Sequence, residues 1–150
     1  AAERDGVRLV SAVLGSGWGD AGKQKKWTDT KALMDYGFAV FHPYEAVQAG
    51  ESFGEIRITD SPTAQMETIL AEGYTALFSD AEIEKLHLTA DLPKGLAAPV
   101  HRGERLGQAV LWLGEERLVA VDLLAAEDAE PFTLAQRLLR LAEGWLSWRD

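Results

Sequence analysis

Residues 5–15, DGVRLVSAVLG, form an unbroken run of apolar β-formers launched from an Asp-Gly turn, the pattern of a strand covered on both faces of a sheet. Such a strand needs neighbours, and the sequence after it supplies none. A polar, glycine-rich stretch, residues 16–26 (SGWGDAGKQKK), reads as a loop. It is followed at 28–41 by TDTKALMDYGFAVF, which carries helical spacing with Thr28 or Asp29 as the cap and Ala32, Leu33, Tyr36 and Val40 along one side. Strand plus helix therefore looks like the closing edge of a larger domain. Either that domain or a second copy of the chain is expected to cover Val7 to Leu14, because an uncovered strand edge invites pairing.

From His42 onward the pattern changes to short alternating segments between turn residues. Residues 53–59, FGEIRIT, set Ile56 and Ile58 against Glu55 and Arg57, and residues 85–90, KLHLTA, set Leu86 and Leu88 against Lys85 and His87. Both read as half-buried strands. Segments 65–70 and 74–79 flank Glu72-Gly73, and segments 105–113 and 117–124 flank Gly114-Glu115-Glu116. Each pair predicts a hairpin, the second more strongly. The fold class expected is mainly β with flanking helices (α+β). Residues 42–130 form a small antiparallel sandwich, preceded by the 1–41 strand-helix unit and followed by a helix over 131–150.

That last segment is amphipathic. Pro131 and Thr133 open it. At 100° per residue, Leu134, Leu138, Leu141, Trp145 and Trp148 fall in one sector that Ala135, Leu139, Ala142 and Leu146 widen, while Gln136, Arg137, Arg140, Glu143 and Ser147 occupy the other side. Two distal indoles and flanking arginines suit a helix lying in a bilayer interface. By pattern alone, such a face equally suits docking on protein. The candidate membrane-surface residues are thus Leu134, Arg137, Leu138, Arg140, Leu141, Trp145, Leu146 and Trp148.

Charge is concentrated in the middle. Residues 42–130 carry six basic against seventeen acidic side chains, whereas 1–41 carry six against five. Repulsion from so acidic a module opposes the counterion release that drives nucleic-acid binding, so no nucleic-acid partner is expected. The chain has no Cys, which excludes disulfides and thiolate metal sites. His42, His87 and His101 share no ligand spacing. Glu115-Glu116 reads as a turn tip, and Gly15-Ser16-Gly17-Trp18-Gly19 lacks the Gly-Lys-Ser/Thr that completes a phosphate loop. No catalytic residue, cofactor or metal site is expected. The opening AAERDGVR has acidic residues and no apolar core, so any export signal is expected upstream.

The ordered series RLVSAVLGS, DTKALMDYGFAVF, AGESFGEIRI, LAAPVHRGERLGQAVLWLGEERLVAVDLLAAEDAE and a terminal amphipathic helix resembles the C-terminal part of the serine D-alanyl-D-alanine carboxypeptidases, the low-molecular-mass penicillin-binding proteins. The resemblance implies that residues 1–41 are the last strand and helix of the catalytic domain. It further implies that 42–130 are the β-rich stalk and that the terminal helix rests on the outer face of the bacterial cytoplasmic membrane. The family's catalytic motifs do not occur. None of Ser11, Ser16, Ser52, Ser61, Ser79 and Ser147 has Lys three residues later, there is no Asn for Ser-x-Asn, and there is no Lys-Thr-Gly. A serine acyl-transfer site needs a nucleophile, its base and oxyanion donors, so this polypeptide is expected to be inactive and to meet peptidoglycan only through its parent enzyme. The alternative is an independent extracytoplasmic binding or scaffold module with a membrane-surface helix.

Overall fold

The computed structural model describes residues 1–15 and 17–139. Its first element is a hairpin, β1 (Ala2–Arg4) with β2 (Val7–Leu9), turning through Asp5 and Gly6 at φ 50° and 79°, both positive as a two-residue hairpin turn prefers. The long buried strand expected over 5–15 does not form. The ladder runs only from Arg4↔Val7 to Ala2↔Leu9, and beyond it Val10 and Leu14 are 78% and 93% exposed. Apolar β-formers make a strand only where a neighbour offers a ladder, and β1 offers three residues.

Helix α1 (Gly19–Val40) starts nine residues before the expected Thr28 and absorbs most of the glycine-rich stretch. Ala21, Lys23, Gln24, Lys25 and Lys26 are good helix formers. Gly22 serves packing: a Cβ there would lie 2.5 Å from the Gly17 carbonyl carbon. Thr28 caps nothing and instead donates its hydroxyl to the Gln24 carbonyl at 3.1 Å. The expected apolar side is also displaced. Ala32, Leu33 and Tyr36 face outward, whereas Met34 is buried and Phe38 half-buried. The cause is the hairpin, which meets the helix at Gly37, where a Cβ would come within 2.7 Å of Leu9 Cδ1. Arg4 bridges to Asp35 and stacks over the Phe38 ring, 4.7 Å from its centroid.

Residues 42–125 build two sheets from β3 (His42–Val47), β4 (Ser52–Thr59), β5 (Gln65–Leu70), β6 (Tyr74–Phe78), β7 (Leu86–Asp91), β8 (Gly95–Ala97), β9 (Arg105–Leu113) and β10 (Glu116–Ala125), with a single helical turn, α2 (Asp80–Ile83), before β7. The larger sheet has the order β7-β9-β10-β5-β4-β8, and β3 pairs with β6 in the smaller one. The mainly β, α+β class holds. One pairing departs from the antiparallel rule: β8 runs parallel to β4, reached by a long crossover through β5, β6, α2 and β7. The hairpin expected around Gly114 forms across Gly114 and Glu115, with Gly114 at φ 59°. The one expected at Glu72-Gly73 does not. β5 bonds to β4 and β10, and β6 turns away to β3, so this connection is a corner at which the chain changes sheets.

Alternation fixes the core. Ile56, Ile58, Met66, Val100, Leu106, Ala125 and Ala129 form one cluster, and Val47, Leu70, Ala109, Leu111, Val121 and Leu123 form the other, with Leu92 packed against both. Thr68 is fully buried among them, and its hydroxyl donates to the Gly54 carbonyl at 3.0 Å, which removes the penalty of burying it.

At the start of α2, the Glu82 carboxylate reaches back to accept from the Ser79 backbone N–H (2.8 Å) and hydroxyl (2.7 Å). These bonds, the backbone one foremost, hold its pKa below the ordinary glutamate value. A lowered native pKa means that the cap stabilises fully above the unfolded pKa and is lost as pH falls through the native one. Glu82→Gln is therefore expected to lose less of its urea midpoint than the wild type between neutral and acid pH. Parallel pH profiles would refute the cap's part in acid sensitivity.

Candidate functional site

The candidate site is the place where the β-rich module gives way to a helix that opens at Leu134. After β10 the chain is tied down residue by residue. The Ala126 N–H donates to the Glu67 carbonyl at 3.1 Å; Val100 and Ala129 exchange backbone bonds of 3.0 and 2.8 Å; and the Asp128 carboxylate accepts from the Arg102 N–H at 2.8 Å. The buried Ser61 hydroxyl then donates to the Glu130 carbonyl at 2.7 Å and accepts from the Thr63 N–H at 3.1 Å. Pro131 has no N–H to satisfy, and the Phe132 N–H donates to the Asp60 carbonyl at 2.8 Å.

The helix begins immediately. Thr133, expected as a cap, accepts from the Gln136 N–H at 3.3 Å through its hydroxyl oxygen, while its own N–H donates to Gln136 Oε1 at 2.9 Å. This reciprocal pair is a capping box, and residues 134–139 are helical. Of the candidate membrane-surface residues, Leu134 and Leu138 stand one turn apart, 80% and 66% exposed, with Arg137 exposed beside them. Arg140, Leu141, Trp145, Leu146 and Trp148 lie outside the described residues. Sequence reasoning does not single out Ser61 or Asp60. Asp-Ser-Pro marks a turn, but nothing local in it points to a partner 69 residues along the chain.

The side chains with chemical potential elsewhere do not converge. His42 stands 3.5 Å from Asp80, His101 3.8 Å from Asp128, and His87 has Nδ1 3.3 Å from the Lys85 carbonyl. These three sit on separate elements, and among the described residues no group of three or more His, Cys, Asp or Glu is placed to hold a metal. Glu115 occupies the β9–β10 turn, and Glu116 begins β10, both exposed. A cleft of about 390 Å³ between the hairpin, α1 and β3 is lined by Arg4, Val7, Asp35, Phe38, Phe41 and His42 among others. Among the described residues its wall carries no Ser, Thr, Cys or Lys, and Arg4 and Asp35 already satisfy each other. No described helix is long and apolar enough to cross a membrane.

Compared with known families, residues 41–131 match the model of the penicillin-binding protein 5 C-terminal domain. The chain belongs to that family. The matched span opens one residue before β3 and closes at Pro131, two residues before the capping threonine, so it coincides with the β-rich module and its strapped exit. Among solved structures, penicillin-binding protein 5 from Haemophilus influenzae is similar at 19% identity and a TM-score of 0.55, over 71% of this chain and 31% of that one. A D-alanyl-D-alanine carboxypeptidase from Francisella tularensis is similar at 15% identity and a TM-score of 0.53, over 76% of this chain and 29% of that one. The chain thus spans under a third of the length of these relatives, and the likeness is one of fold. Direct sequence comparison finds no curated protein that matches.

Proposed function

We propose that this chain is the noncatalytic C-terminal stalk and membrane-anchor region of a D-alanyl-D-alanine carboxypeptidase. The observation that carries the reading is the junction at Pro131: the family's β-module ends there, and a capped helix with uncovered leucines starts just beyond it. The sandwich acts as a spacer, and the terminal helix lies in the interface on the outer face of the bacterial cytoplasmic membrane. In the parent enzyme a serine on the catalytic portion forms the acyl-enzyme on the penultimate D-Ala, terminal D-Ala leaves, and water deacylates. This polypeptide reaches peptidoglycan only through that parent.

Residues 1–41 are then the last hairpin and helix of the catalytic domain. Support comes from the apolar surface they leave open: Val10, Leu14, Trp18, Trp27, Leu33 and Tyr36 are all exposed, more large apolar side chains than a self-contained helix-hairpin unit leaves in water. The missing catalytic domain, or a second copy of the chain, covers them. The test of the noncatalytic role is labelling by a fluorescent penicillin. The chain is expected to remain unlabelled while a longer protein carrying Ser-x-x-Lys, Ser-x-Asn and Lys-Thr-Gly is labelled; a stoichiometric covalent adduct on the present chain would overturn the reading.

A further inference from the structure

We infer that residues 126–136 form a rigid joint, latched by Ser61, that fixes the direction of the terminal helix relative to the six-stranded sheet. A stalk and an anchor can be linked in two ways. A flexible tether lets the body sample all orientations, whereas a chain bonded up to the helix cap leaves it one. The exit segment is of the second kind. Its attachments go to three separate parts of the body: the 60–63 turn through Glu130 and Phe132, the 100–102 segment through Asp128 and Ala129, and β5 through Ala126. Between the last of these bonds, at Phe132, and the first helical residue, Leu134, stands only Thr133, and both its N–H and its hydroxyl are held by Gln136. Ser61 is the central latch, because its buried hydroxyl ties the Glu130 carbonyl and its own turn together in one bond chain. Its position within the structure gives it no solvent to fall back on when that chain is broken.

If the terminal helix lies flat on a lipid surface, which rests on the function proposed above, a fixed joint sets the tilt of the whole sandwich over that surface as well as its height. The body then stands at one angle instead of swinging on a leash.

The absence of Cys from the sequence makes the test direct. Spin labels on Glu115→Cys, at the exposed β9–β10 turn, and Ala135→Cys, on the exposed helix, report the sheet-to-helix distance by pulsed electron resonance in solution. The expected result is one narrow distance population. Inserting Gly-Ser-Gly-Ser between Phe132 and Thr133 is expected to broaden it on the scale of the ~11 Å reach of four flexible residues. Ser61→Ala is expected to reduce hydrogen-exchange protection at the Phe132 amide by about tenfold. A wild-type distribution as broad as that of the insertion variant would overturn the joint, whether or not the chain binds lipid. Failure of the unlabelled chain to bind vesicles beside a narrow distribution would instead remove the membrane reading and leave the joint standing.

Discussion

Replacing Gly107 with Ala is expected to destabilise the β-module by about 3 kcal/mol, the upper end of the range for overpacking a filled core. Gly107 lies on β9 opposite Leu123 of β10, where the end of β7 folds over it. A Cβ at this position would sit 2.3 Å from the Asp91 carbonyl oxygen and 2.9 Å from Leu92 Cδ2. The nearer contact is backbone, so it cannot be relieved by a rotamer change. Asp91 must move, and with it the last pairing of β7, Asp91↔Gln108. Leu92, which touches both core clusters, moves too. The measurement is the urea midpoint of Gly107→Ala together with hydrogen exchange along β7. A wild-type midpoint would show that the strand end does not pack on β9 as described.

The second large effect concerns lipid binding by the proposed anchor. Trp145→Ser combined with Trp148→Ser is expected to weaken co-sedimentation with lipid vesicles about a hundredfold. An indole carries well over 100 Å² of apolar surface, and burying roughly half of it gives about 1.5 kcal/mol per ring, so about 3 kcal/mol for the pair. Net charge over 131–150 is small, three basic side chains against two acidic ones. Raising the salt is therefore expected to change binding little, since screening acts only on the electrostatic part. Both residues are far from the exit bonds in sequence, so the sandwich should unfold at its usual midpoint. Unchanged co-sedimentation of the double variant would reject the role given to the rings.

Legibility in the sequence follows the residues whose neighbours in space are also their neighbours in pattern. Segment 65–70 is expected as a strand and is one to the residue, since Met66, Thr68 and Leu70 share a buried face. The β9–β10 hairpin is equally plain, because its turn lies between its own strands. Elements whose partners are remote read poorly. β3 contains Pro43, which suggests a junction; Pro is tolerated because β3 bonds only to β6 among the described strands. β8 is three residues long, too short for any period to show. The glycines before Thr28 suggest a loop, although Gly22 is buried against Gly17 and belongs to helix packing. At the candidate site, the Thr133 cap can be read from composition, while the Ser61 latch cannot, because its meaning depends on a carbonyl supplied by a distant part of the chain.

The place of β10 in the large sheet has a consequence for how the module comes into being. It is the last of the described strands in the sequence, yet it sits third in the order, between β9 and β5. One side of it holds β7 and β9, the other holds β5, β4 and β8, and no other described strand joins the two groups. A chain emerging from the ribosome therefore carries two half-sheets with open edges until residues 116–125 are available. The pairing that unites them, Ala125↔Thr68 to Leu123↔Leu70, spans more than fifty positions of chain, the kind of non-local contact that slows folding. Loss of the final strand would leave β5 and β9 each with an unpaired backbone edge and a share of uncovered core, so a product stopped short of it is a candidate for aggregation instead of a smaller working stalk.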